Sequence, residues 1–295
     1  MLKSVNELQR IFDMSEKIGV GIITCGRKSM FEKLFNSLLD CGDQIDHLYV
    51  VEDTKTNRSY DDNYAVDIAR SWKGEHITVF TPTANLGVAK AKNSALAHLL
   101  DAGCDHIFLI EDDMFIKNPN IFQAYIDASK KSGIQHLMFG YHGPANKNGI
   151  SRGKPYPRLV VDYGDFSIAF NQHCVGAFCY YSSKCLEDVG LIDEKFRNAF
   201  DHVSHSYELA LKGYSTPYWW WADLANSLDY IEEQACSEEN SSIKTPESMQ
   251  KWNDNIRSSM EYFKEKFGVL PFGNDGVPDT REQEVLTFLK NTINH

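Results

Sequence analysis

Residues 107–115 read IFLIEDDMF. Four apolar residues run straight into Glu111, Asp112 and Asp113, and apolar residues resume at Met114. A continuous apolar run of this length fits a strand buried on both faces, as in a parallel sheet. Three acids at its carboxyl end are not what a buried strand needs for packing. In open parallel sheets, ligands bind at the carboxyl ends of the strands. The stretch therefore fixes both a fold class and a place to look for chemistry.

Working outward, strand-like and helix-like segments alternate. Residues 18–25 (IGVGIITC), 46–53 (DHLYVVED), 76–82 (HITVFTP) and 106–112 read as strands. Residues 30–42, 62–74, 87–103 and 120–133 carry apolar residues at helical spacing, and each ends at a glycine. Four βα units in a row predict a mostly parallel, doubly wound sheet flanked by helices. Its rim would gather residues 24–28, Glu52, Asp53 and Glu111 to Asp113. From residue 134 the pattern turns to mixed or antiparallel strands with Gly-rich links, and two short helices fall within 184–214. The expected division is a domain over 1–236, with a nucleotide-binding half (1–133) and an acceptor half (134–236). A helical extension follows over 237–295. In that extension Trp252, Ile256, Met260 and Phe263 share one helical face, which is expected to pack on the domain or on a second copy.

The formal charge of the 295-residue chain, 30 − 41 = −11, makes it a poor general partner for nucleic acid. Its seven cysteines contain no CxxC pair, which predicts buried reduced thiols and a reducing compartment. The first 17 residues read as a polar helix rather than a leader, and no apolar run approaches the ~18 residues of a membrane span. A cytoplasmic location, with peripheral membrane contact at most, is the expectation.

Hard oxygen ligands such as the 111–113 acids suit Mg2+ or Mn2+ holding a substrate phosphate. No GxxxxGK[ST] loop is present, and TCGRKSM stands where a GxGxxG would follow the first strand. P-loop NTPases and dinucleotide enzymes are thereby set aside.

Four stretches in order, VGIITCGRKSMFEKLFNSLL, LYVVEDTKTN, NLGVAKAKNSAL and FLIEDDMF, resemble the GT-A fold nucleotide-sugar glycosyltransferases, family 2 in particular. The resemblance spans roughly residues 18–214. It implies an inverting, metal-dependent hexosyltransferase. The donor would be a UDP-sugar and the acceptor a saccharide or glycolipid, as in capsule or lipopolysaccharide synthesis. It implies that Thr24 and Arg27 line the nucleotide and that Glu52 or Asp53 accepts from uracil or ribose. Asn85 opens the third stretch, in which Lys92 contacts base or phosphate and Asn93 braces the loop. Asp113 would bind Mn2+ or Mg2+ directly, with Glu111 on ribose or a metal-bound water and Asp112 supporting them. The family's ED pair aligns with Asp201 and His202, so this chain reads DH there. Asp201 is the expected base, with His202 as a rival base or diphosphate contact. His205, one turn on, would face the same way and could join the metal. Trp219 to Trp221 are either core or one open sugar platform, and His173 is expected to be structural. Two other readings stay open: a sugar nucleotidyltransferase, and a nucleotide-sugar-binding module without catalysis.

Overall fold

The computed structural model describes residues 16–53, 63–148, 153–218, 220–235, 249–271 and 280–293. The expected N-terminal helix, Trp219 and Cys236 lie outside these residues. The first half runs β1 (Ile18–Thr24), α1 (Lys28–Leu38), β2 (His47–Glu52), α2 (Tyr64–Ala69), β3 (His76–Phe80), α3 (Val88–Asp101), β4 (His106–Glu111), β5 (Met114–Ile116) and α4 (Ile121–Ser132). The second half runs β6 (His136–Met138), β7 (Lys147–Asn148), β8 (Lys154–Pro155), β9 (Leu159–Asp162), β10 (Ser167–Asn171), β11 (Phe178–Ser182), α5 (Ser183–Val189), α6 (Asp201–Leu211), β12 (Trp221–Leu224) and β13 (Ile231–Glu233). Two helices close the chain, α7 (Met249–Phe267) and α8 (Thr280–Ile293).

The main sheet has six strands in the order β3-β2-β1-β4-β11-β6, and only β11 runs against the others. β1 is buried along its whole length because helices cover both faces of the sheet. Gly21 makes this close packing possible on the α3 side. A Cβ there would fall 2.8 Å from the Ala95 Cβ and 2.9 Å from Leu109. A smaller antiparallel sheet, β12-β10-β9, carries the second half. The buried Asp223 ties it to the rest. Its carboxylate accepts from Tyr125 Oη (2.6 Å), Gly140 N (2.9 Å), Leu224 N (2.8 Å) and Ser227 Oγ (2.7 Å).

The helical extension packs on its own chain. Phe263 is fully buried beside Tyr207 and Tyr218, while Trp252, Ile256 and Met260 are half-buried. Lys266 Nζ bridges Asp193 and Glu208, both at 2.8 Å, which pins α7 to α6 and to the loop before it. α8 lies against α4. Two features differ from the sequence reading. The second helix shrinks to the six residues of α2. The segment after the acids forms a short strand, β5, paired with β13, which the sequence reading did not mark. Three residues are too few to show a period. Among the described residues, no helix is long and apolar enough to cross a membrane. Among the described residues no cysteine is in a disulfide; Cys41, Cys104, Cys179 and Cys185 are buried, and Cys25 and Cys174 half-buried.

Candidate active site

Strand register builds the site. β1 pairs with β2 so that Thr24 lies beside Glu52, and with β4 so that Ile23 lies beside Glu111. Three strand ends thus bring their polar residues to one rim. Two groups of side chains occupy it.

The first group gathers around Asp112 and Asp113. Thr24 Oγ1 donates to Asp112 Oδ2 at 2.6 Å and lies 2.8 Å from Tyr64 Oη. The Arg27 guanidinium clamps both acids, donating to Asp112 and, at 3.1 Å, to Asp113 Oδ2. Asp112 is wholly buried. Burial pushes its carboxyl up to about 6 despite the attraction of Arg27 and the Thr24 hydrogen bond. Burial pushes Asp113 the same way, but His142 and Arg27 outweigh it and hold its carboxyl down at about 2. Asp113 Oδ1 is buried and accepts no hydrogen bond from the described residues; His142 Nε2 lies 3.4 Å from it. The sequence pointed to neither the Arg27 clamp nor His142. His142 follows β6 in a Gly-rich stretch with no distinguishing spacing.

The second group centres on Lys92, which is only 2% exposed. Its Nζ lies 2.9 Å from Glu111 Oε1, 3.2 Å from Asp201 Oδ2 and 3.3 Å from Gly176 O. These three acceptors match the three donors of an ammonium group. Lys92, expected on base or phosphate, is placed by the structure between Glu111 and Asp201, which it joins. Burial alone would lower the Lys92 ammonium, but Asp201 and Glu111 more than reverse that and raise it. Asp201 opens α6, where an anion is favoured by the helix dipole. Although burial opposes it, Lys92 and His202 hold its carboxyl well below the usual range. The residue before it, Phe200, is left-handed at φ 61°, an uncommon state for a bulky residue that marks a constrained position.

His202 Nδ1 lies 3.6 Å from Asp201 Oδ1, and its side chain keeps 26% of its surface exposed. Gly176 allows this placement, since a Cβ there would sit 2.6 Å from His202 Cγ. His205 does not join the pair. It is fully buried with Nε2 2.9 Å from Gly190 O, and burial lowers its ring to about 4. The expected role of His205 in metal binding gives way to a core role, because the helix turns it toward Tyr181.

The remaining candidates shape the walls. Asp53 accepts from Asn85 Nδ2 (2.9 Å), Leu86 N (2.9 Å) and Gly87 N (3.1 Å), and so folds the loop leading into α3. Arg197 holds Asn85 from the other side at 3.0 Å. Glu52 accepts from Ala65 N at 3.2 Å, in the first turn of α2. Asn93 exchanges two hydrogen bonds with the Ile192 backbone (2.8 and 2.9 Å), bracing the approach to α6. Trp220 and Trp221 are core residues, 8% and 1% exposed, so neither is an open platform.

No group of three or more His, Cys, Asp and Glu side chains among the described residues forms a metal cage. The rim suits a cation held by one carboxylate and completed by substrate phosphates and water, the usual habit of Mg2+. Asp113 Oδ1, which accepts no hydrogen bond from the described residues and has His142 beside it, is the oxygen that fits this role.

No protein-family model matches the chain, and no curated protein matches it by sequence. Solved structures do. Residues 1–349 of Staphylococcus aureus TarS in complex with UDP align at TM-score 0.51 and 16% identity, covering 84% of this chain and 73% of that one. Glucosyl-3-phosphoglycerate synthase from Mycobacterium tuberculosis, with Mn2+, UDP and glucosyl-3-phosphoglycerate, aligns at TM-score 0.52 and 13% identity, covering 93% and 87%. A mannosyltransferase from Pyrobaculum calidifontis, with GDP-Man and Mn2+, aligns at TM-score 0.50 and 13% identity, covering 70% and 55%. With identities this low the likeness is one of architecture, and that architecture is the GT-A fold of glycosyltransferases that use nucleotide sugars.

Proposed function

We propose that the protein is a metal-dependent glycosyltransferase that moves a sugar from a UDP-sugar to a hydroxyl of a saccharide acceptor, with inversion. The carrying observation is the Asp113 carboxylate, buried at the sheet rim with one oxygen that accepts no hydrogen bond from the described residues, in a GT-A fold. Asp113 would hold Mn2+ or Mg2+, and the bound ion would supply positive charge against the departing diphosphate. Arg27 adds positive charge beside the same carboxylate, and His142 flanks it. Uridine is read by Glu52 or Asp53 at the end of β2.

In the transfer the acceptor oxygen bonds to the anomeric carbon as the anomeric carbon–phosphate oxygen bond breaks. The acceptor proton must leave at the same time. A base works best when its pKa lies near the working pH. Asp201 is held far below that and is ion-paired to Lys92, so it is a weak base that stays anionic. His202 stands beside Asp201, 3.6 Å away, and keeps 26% of its side-chain surface exposed, so His202 takes the proton while the Asp201 carboxylate stays beside it.

Thermal shift with a panel of nucleoside diphosphates tests the reading. UDP at about 100 times its Kd, with Mn2+, should add ~2.7 kcal/mol of stability, and the Asp113→Ala protein should fold but show no Mn2+-dependent shift. GDP displacing UDP would reject the uridine assignment. Equal UDP–Mn2+ binding by Asp113→Ala would reject the site.

A further inference from the structure

A cavity of about 300 Å3 lies beside the start of α6. Asp201 and His202 line it from α6, Trp252 and Ile256 from α7, and the amides of Gln172 and Asn198 from two loops. Trp252 and Ile256 are four residues apart and so share a helix face. They are held there because Phe263 and Lys266 anchor the far end of α7 to α6.

Among the described residues no Lys or Arg lines this cavity, and its one carboxylate is the ionised Asp201. An acceptor phosphate or carboxylate would find no Lys or Arg side chain in this wall, because the Lys92 ammonium lies behind Asp201 and is already paired with it. A neutral polyol finds acceptors in Asp201 and His202, amides that both donate and accept, and an aromatic side chain. The C–H face of a pyranose is apolar and suits a flat indole. A cavity of this size has room for a sugar residue.

We propose that this cavity is the acceptor subsite, that it takes one neutral pyranose, and that Trp252 of the C-terminal helix is its aromatic wall. This rests on the glycosyltransferase reading above. It adds that α7 sets acceptor choice, and that acceptors anionic at the reacting residue are excluded.

The test is saturation-transfer NMR on the full chain with UDP and Mg2+. The probes are the methyl pyranosides of glucose, galactose, mannose and N-acetylglucosamine, with methyl glucuronide and methyl glucoside 6-phosphate as anions. At least one neutral glycoside should bind wild type and bind at least tenfold more weakly to Trp252→Ala, with Trp252→Phe restoring most of the loss. Ile256→Trp, which fills the cavity without removing a core side chain, should also abolish binding, and it serves if Trp252→Ala fails to fold. The proposal is overturned if no neutral glycoside binds wild type, if an anionic probe binds more tightly than every neutral one, or if binding persists in either folded variant. UDP–Mn2+ thermal shifts on the same samples separate the two failures. A shift without glycoside binding removes the subsite alone, and no shift with any nucleotide removes the glycosyltransferase reading.

Discussion

Replacing Lys92 by Met leaves a side chain of similar length and removes the charge that joins Glu111 to Asp201. In the native protein the ammonium is 2.9 Å from Glu111, 3.2 Å from Asp201 and 3.3 Å from the Gly176 carbonyl, at 2% exposure. Removing one partner of a buried ion pair costs about 3–5 kcal/mol, since the other charge stays buried and unpaired. Here the stranded group is Asp201, at 5% side-chain exposure; Glu111, at 28%, is partly rescued by water. A loss of ~3 kcal/mol is therefore expected at pH 8. With a urea m-value of about 3 kcal/mol/M, that moves the unfolding midpoint down by ~1 M. The loss should depend on pH with a definite sign. In wild type the depressed Asp201 carboxyl adds stability above the unfolded carboxylate pKa, and that contribution fades as pH falls below it. Without Lys92, burial raises Asp201, so the variant recovers by protonating it, and its deficit should be smaller at pH 5 than at pH 8. Lys92→Met/Asp201→Asn should be more stable than Lys92→Met alone. A deficit below ~1 kcal/mol, far under the cost of a broken buried pair, or one that does not change with pH, would refute the bridge as a buried charge pair.

Two further outcomes are expected. His202→Gln should lower turnover at least ~10²-fold with donor affinity unchanged, as loss of a general base does; Asp201→Asn should lower it too, but with a shifted pH–rate profile, and full turnover by His202→Gln would return the base to Asp201. Four buried groups should nearly cancel one another's pH dependence of stability between pH 7 and 5. His136 and His205, lowered by burial to about 3 and about 4, each lose about 2 kcal/mol as the unfolded rings protonate below 6.5, whereas Asp112 and Asp223, raised by burial to about 6 and about 7, together gain about 4 kcal/mol. Asp223→Asn should unmask the histidines, so that urea unfolding shows stability falling by ~2–3 kcal/mol from pH 7 to pH 5; a slope equal to wild type would count against this balance.

Much of the fold was legible in the sequence because its signals are local. The apolar run before Glu111 and the helical spacing over 87–103 depend on residues a few positions apart, and β4 and α3 appear within a residue or two of the expected bounds. The rim followed from those strands and from where parallel sheets end. What the rim residues hold could not be read the same way. Lys92 meets Asp201 across 109 positions, and Thr24 meets Asp112 across 88. No short pattern encodes such pairings. His205 shares a helix with Asp201 at a spacing that suggested one face, yet only the packing of α6 against Tyr181 and Gly190 decides that it turns inward. The tryptophan cluster drew attention by its spelling, but two of its members are core residues, of which Trp221 also backs the cavity, and a second tryptophan of the cavity wall, Trp252, is carried in by α7. Backbone periodicity is written in neighbours and survives in the sequence alone. A binding site is a set of side chains from distant segments, and it exists only once the tertiary fold has brought their charges close enough to choose partners.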